Sequence, residues 1–177
     1  MAELLRNRYP EDEVQLFSVA TATGGRGLRH AQDSAWDPIP HRVAVSPCIG
    51  CNRCVKGEGC FMHDDMDDLL EVLAAAREFY VVCPVFFAGP PAQMKAVLDR
   101  VQPLFFTDVR KRPKRPAHLL VVGGGGDPHG FEPLVGIMRS ALSVAGFRLD
   151  GVEASIGEDL QGALTHAEAL LASAGLQ

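Results

Sequence analysis

Four of the five cysteines of this chain fall in one short stretch: Cys48, Cys51, Cys54 and Cys60, spaced C-x2-C-x2-C-x5-C. A spacing of two lets neighbouring thiolates converge on one centre, and Gly50, Gly57 and Gly59 let the backbone turn tightly around whatever is bound. Iron–sulfur clusters are held by four Cys thiolates, often in runs of this kind. In the two-cluster ferredoxin run the fourth Cys comes three residues on, precedes Pro and serves the other cluster. Here it comes five residues on and no second run exists, which leaves all four ligands to a single cubane [4Fe–4S] cluster. Two alternatives stand beside the cluster. A structural zinc also accepts four cysteines, although such sites usually pair two separated knuckles. A redox-active dithiol is the other, whereas structural disulfides do not suit a chain that reads as cytoplasmic.

The elements that must position this loop follow from hydrophobic patterning. Residues 3–8 read as a helical fragment closed by Tyr9-Pro10, and residues 13–20 alternate as a strand. The stretch from Thr21 to Pro40 lacks periodicity and reads as an irregular loop, after which Val43-Ala44-Val45 extends toward Pro47. Beyond Cys60, Asp64 is a candidate N-cap of a solvated, acidic helix start, and Met66, Leu69, Leu70 and Leu73 mark an amphipathic helix running to about Arg77. The run 79–83, with Cys83 as a packing residue, predicts a strand buried on both faces and ended by Pro84. Helices follow at Met94–Val101, at Leu134–Leu142 and at the stripe of Leu160, Leu164, Ala167 and Leu171. Further strands are predicted at 118–122 and 148–156. Alternating strands and helices predict an α/β domain, 1–177, with a parallel sheet covered on both faces and the cysteine loop at 47–61.

Ligands of such sheets sit at the carboxyl ends of the strands. One strand there ends in the aromatic, polar-poor loop Pro84-Val85-Phe86-Phe87-Ala88-Gly89 and the next in Gly123-Gly124-Gly125. Together these loops suit a flat aromatic ring contacted through backbone groups; a plain turn is the alternative for the glycines. No phosphate-binding G-x-x-x-x-G-K-[ST] and no complete G-x-G-x-x-G occurs, so nothing points to a Rossmann nicotinamide site. The basic run 110–115 reads as a solvated connection, with a docking patch for an acidic redox partner or a phosphorylated cofactor as the sharper reading. His63 and His129 lie near the site in sequence but read as structural or solvated, and no catalytic side chain is assigned.

A net charge of −5 argues against nucleic acid as a partner. No apolar run approaches the roughly 20 residues that cross a bilayer. The first residues lack the basic and apolar regions of a signal peptide, which predicts a cytoplasmic protein without a membrane partner.

With these pieces placed, the chain resembles the iron–sulfur flavoprotein branch of the NADPH-dependent FMN reductase family, within the flavodoxin-like fold. The resemblance rests on residues 47–54, on Asp64-Asp65-Met66, on Cys83-Pro84-Val85-Phe86-Phe87, on Ala92-Gln93-Met94-Lys95 and on Leu98-Asp99-Arg100. It implies FMN beside the [4Fe–4S] cluster, with the 84–89 loop and the glycine loop touching the isoalloxazine. It also implies a homodimer or homotetramer that passes electrons from a ferredoxin-like or NAD(P)H donor to an acceptor.

Two departures accompany the resemblance. Phe86 stands where the family usually has tyrosine. The family's opening strand and Gly-Ser-Pro-Arg-like phosphate loop are not visible. On one reading, residues 1–8 are the tail of the helix that follows that loop, and the first strand and phosphate site are missing. On the other, 13–20 is the first strand and 21–27 an unusual phosphate loop. Two rival functions remain: an NAD(P)H-dependent FMN or quinone reductase without a cluster, and a non-enzymatic cluster-binding subunit that has lost FMN.

Overall fold

The computed structural model describes residues 1–10, 14–19 and 41–174. Its elements are α1 (Ala2–Arg8), β1 (Phe17–Ser18), β2 (His41–Arg42), α2 (Met66–Ala75), β3 (Phe79–Pro84), α3 (Ala92–Arg100), β4 (Arg115–Gly123), α4 (Glu132–Val144), β5 (Phe147–Ile156) and α5 (Leu160–Ala174). Strands β3, β4 and β5 form one parallel sheet in that order, with Val81 opposite Leu119 and Leu119 opposite Val152. The register slips by one residue between Ala117 and His118. This is the 3-4-5 side of the flavodoxin-like strand order.

Side chains of successive strand residues point to opposite faces, and β4 shows why both faces need helices. Leu119 and Val121 join Val81, Cys83, Met66, Leu69, Val97, Leu134 and Met138 in the main core, which lies under α2, α3 and α4. Leu120 turns the other way and packs with Ala167 and Leu170 of α5, against Met1 and Leu4 at the amino end. The sheet is therefore wound on both sides, as the alternating pattern predicts.

Several expectations are corrected in detail. The run 79–83 is not buried on both faces: Val82 is 44% exposed, because β3 is the last strand of its sheet among the described residues. The final helix buries Ala167, Leu170 and Leu171, whereas Leu160 stands in solvent at its start. Among the described residues strand β1 pairs in parallel with β2, Phe17 opposite His41, and Phe17 and Val19 pack against the main core. The ends of the predicted strand 13–20, the loop 21–40 and the phosphate-loop candidate at 21–27 lie outside the described residues.

The basic run is solvated at 111–113, as expected, but not at its end. Arg115 lies within β4 and donates to the carbonyl oxygens of Ala74, at 3.0 Å, Ala76 and Ala145, so it ties the ends of α2 and α4 to the sheet. Its guanidinium sits 4.1 Å from the Phe147 ring centroid, and burial pulls its pKa below the usual arginine range, with the Arg112 charge adding to the effect. Phe147 is 1% exposed and lies 5.5 Å from the Phe79 ring. Phe147→Ala removes the ring from both partners and is expected to cost about 3–5 kcal/mol. Urea denaturation should show a lower midpoint at unchanged slope.

Candidate functional site

The cysteine loop is shaped by backbone conformations that few residues adopt. Gly50, Gly57 and Gly59 have φ of +67°, +78° and +73°, and Asn52 has +60°. A Cβ at any of these glycines would meet nothing within 4 Å, so glycine is needed there for its dihedral freedom rather than for space. A 3₁₀ turn over Cys54–Lys56 is closed by Gly57 N–H donating to the Cys54 carbonyl at 3.1 Å. Arg53 pairs with Glu58 at 3.0 Å across the same turn, and its guanidinium lies 5.7 Å from the Phe61 ring centroid.

All four predicted ligands are free thiols, with Cys48 and Cys51 exposed and Cys54 and Cys60 partly covered. The four line one open cavity of about 230 Å³, which Asp99, Arg100, Gln102 and Pro103 also line. Among the described residues, no group of three or more His, Cys, Asp or Glu side chains is gathered closely enough to hold a metal ion. Four thiols set around a cavity suit a larger group whose corners each take one ligand, so the donor set fits an iron–sulfur cluster.

The cavity wall contains a residue to which the sequence assigns no role, although it belongs to the Leu98-Asp99-Arg100 segment that carries the family resemblance. Arg100, at the end of α3, is 2% exposed. It donates to Asp64 Oδ2 and Oδ1 at 2.9 and 3.1 Å, to the Ser46 carbonyl at 3.0 Å and to the Met62 carbonyl at 3.0 Å. Asp64 also accepts from Ser46 N–H at 2.9 Å and Met66 N–H at 3.1 Å. Burial opposes ionisation of Asp64, yet Arg100 and these two N–H groups outweigh it and hold the carboxyl below its ordinary range. Burial likewise disfavours the Arg100 charge, but Asp64, and more weakly Cys60, hold the guanidinium above its ordinary value. The solvated N-cap expected at Asp64 is thus a half of a buried ion pair, and Asp65 occupies the N-cap position. The signal was present: Arg100 lies four residues after Ala96 and three after Val97, on the buried stripe of its helix.

The second set of predicted residues comes together at the carboxyl ends of β3 and β4. Val85 N–H donates to the Val122 carbonyl at 2.9 Å, carrying the chain one step beyond the sheet. Phe86 and Gly89 then exchange backbone bonds at 2.9 and 3.0 Å around Phe87 and Ala88, whose φ values are +51° and +60°. Two positive φ values in succession define a type I′ turn, which Gly and Asn normally fill. Holding Phe and Ala there costs strain, and such strain concentrates at ligand clamps. The turn places Phe87 entirely in solvent and leaves Phe86 59% exposed. Beside it, Gly123 packs so closely that a Cβ would lie 2.6 Å from Val85 Cγ1. Gly124 has open space where a side chain would be, and Gly125 has φ of +81°. An exposed aromatic turn next to a bare backbone loop fits a flat ring. None of these loop residues is among those lining the cysteine cavity.

His63 is exposed and pairs with Asp67 at 3.0 Å, while His129 contributes its backbone N–H to Asp127, so both serve local structure. Cys83 is fully buried, and desolvation pushes its thiol up to about 12. Alkylation of cluster-free protein at pH 8 should therefore label Cys48 and Cys51 and spare Cys83, with peptide mass spectrometry as the readout. Labelling of Cys83 at the same rate would contradict this core. Among the described residues no helix is long and apolar enough to cross a membrane.

The NADPH-dependent FMN reductase family matches residues 13–156. An iron-sulfur flavoprotein of Archaeoglobus fulgidus is 32% identical over 107 residues, covering 58% of this chain and 55% of that protein. One from Methanocaldococcus jannaschii is 40% identical over 60 residues, 34% of this chain and 31% of the relative. One from Methanosarcina thermophila is 41% identical over 56 residues, 32% of this chain and 29% of the relative. The chain thus spans roughly a third to a half of the length of these curated relatives. Among solved structures, the Trp repressor binding protein from Bacillus subtilis aligns with a TM-score of 0.51 at 19% identity, over 81% of this chain and 85% of that one. That likeness is one of fold.

Proposed function

The chain belongs to the NADPH-dependent FMN reductase family, and from that premise we propose that it is a redox protein carrying FMN and a [4Fe–4S] cluster. In this role it passes electrons between a ferredoxin-like or NAD(P)H donor and an acceptor, as a cytoplasmic homodimer or homotetramer. The observation that carries the reading is the single cavity lined by Cys48, Cys51, Cys54 and Cys60 in a chain similar to proteins named iron-sulfur flavoproteins.

The chain's own residues divide the work. The four cysteines would each bind one corner of the cluster, and the left-handed residues between them keep the loop wrapped around it. Phe86, Phe87 and the Gly123-Gly124-Gly125 backbone would receive the flavin ring, with Pro84, Val85, Ala88 and Gly89 holding the turn in place. Phe86 offers no hydroxyl, so polar contact to the ring falls to backbone N–H and C=O groups in this half of the site. When bound, a cluster exchanges electrons one at a time and a flavin singly or in pairs, so the two together can couple one-electron and two-electron partners.

Anaerobically purified protein should contain about four iron and four acid-labile sulfide per chain, together with extractable FMN. Absence of iron and sulfide alongside bound flavin would replace the proposal with a cluster-free reductase. A cluster without flavin would leave a cluster-binding subunit.

A further inference from the structure

Arg100 does two things that its helix does not need. It joins the residues on either side of the cysteine loop by donating to both: the Ser46 carbonyl lies two residues before Cys48, and the Met62 carbonyl two residues after Cys60. It also carries an Nε that is buried without any hydrogen-bond partner, in a side chain 2% exposed that lines the cysteine cavity. A buried N–H normally finds an acceptor, and one left unpaired at a site calls for an explanation. The other four guanidinium contacts are saturated by Asp64 and the two carbonyls, so the Nε–H is the donor left over. Cys60 lines the same cavity as Arg100.

We propose that Arg100 is a positioning residue for the cluster, clamping the cysteine loop by its two flanks and donating its Nε–H to the Cys60 sulfur once the cluster is in place. The inference rests on the cluster reading of the cavity. Physically, a hydrogen bond to a ligand sulfur withdraws electron density and favours the reduced, more negative state, which raises the reduction potential. Asp64 neutralises the formal charge of the guanidinium, so the directed N–H dipole carries the effect more than a free cation would. Ion-pairing also fixes the fork, since two of its bonds go to one carboxylate.

The test uses the full chain with its cluster assembled anaerobically and reduced with dithionite. Iron and sulfide in the wild type are measured first, and their absence removes the cluster reading itself rather than the role of Arg100. With the cluster present, pulsed EPR on protein carrying ¹⁵N-arginine should show a guanidinium nitrogen coupled to the reduced cluster, and Arg53→Lys should leave that coupling intact. No coupling overturns the proposal, and this outcome needs no variant of Arg100 to fold. Arg100→Lys keeps the charge and can reach Asp64, but has no Nε–H. A dye-mediated dithionite titration of that variant should show the cluster harder to reduce by about tenfold in its equilibrium constant, roughly 59 mV for a one-electron couple. A wild-type midpoint in folded Arg100→Lys, judged by circular dichroism, also overturns the proposal.

Discussion

A Cys54→Ala variant is expected to lose its iron and acid-labile sulfide, by at least about tenfold relative to the wild type, while melting at the temperature of the cluster-free wild type. Replacing an outer partner of a metal ligand already costs about 10–100-fold in affinity, so losing the ligand itself costs no less. The fold is spared because the cysteine loop stands outside the core. Cys54 opens the 3₁₀ turn through its carbonyl, which alanine retains, and Cys54 is not among the buried residues of the core. The comparison variant is Cys83→Ala, whose sulfur sits in the core and donates only to the Pro84 carbonyl at 3.4 Å. It should keep full iron and lose some stability instead. Iron retained in Cys54→Ala would remove that residue from the ligand set. Zinc in place of iron by elemental analysis would change the identity of the site altogether.

The contrast between the two cysteines shows what a sequence can carry about a site. A ligand set made of one local run is legible, because spacing alone decides whether the thiols can converge. The sheet and its covering helices were legible for a related reason: each depends on a period of two or of about 3.6 within a single segment. Arg100 and Asp64 were not paired in advance, since 36 residues separate them and only the packing of α3 against the start of α2 brings them within 2.9 Å. Asp64 taken alone had a bland explanation as a helix cap, and Arg100 stood only as part of the segment that carries the family resemblance. The left-handed turn at Phe87 and Ala88 was hidden more deeply, because neither residue type announces a positive φ. Val82 was misjudged because a continuous apolar run says that a strand is hydrophobic, not which of its edges has a neighbour.

The flavin side of the site is expected to fail separately from the cluster side, and Gly123→Val is the substitution that should separate them. Gly123 is where β4 leaves the sheet, and its carbonyl accepts from Gly157 N–H at 2.7 Å. A Cβ at this position would lie 2.6 Å from Val85 Cγ1 and 3.4 Å from Ile156 Cδ1. The first distance is too short to survive, and Val85, branched at Cβ, has little rotamer freedom with which to yield. Its backbone is tied to Val122 at 2.9 Å, so the strain passes along the chain into the strained turn at Phe87 and Ala88. Both faces offered to a flat ring then move at once. The FMN dissociation constant should rise by at least about tenfold, equivalent to about 1.4 kcal/mol, with iron and sulfide unchanged because the cysteine cavity shares none of these residues. Equilibrium dialysis with FMN, beside iron analysis of the same sample, reads both quantities. Unaltered FMN affinity in a folded Gly123→Val protein would place the flavin away from these two loops, while joint loss of FMN and iron would mean that the two centres depend on one another through contacts between subunits or through the fold itself.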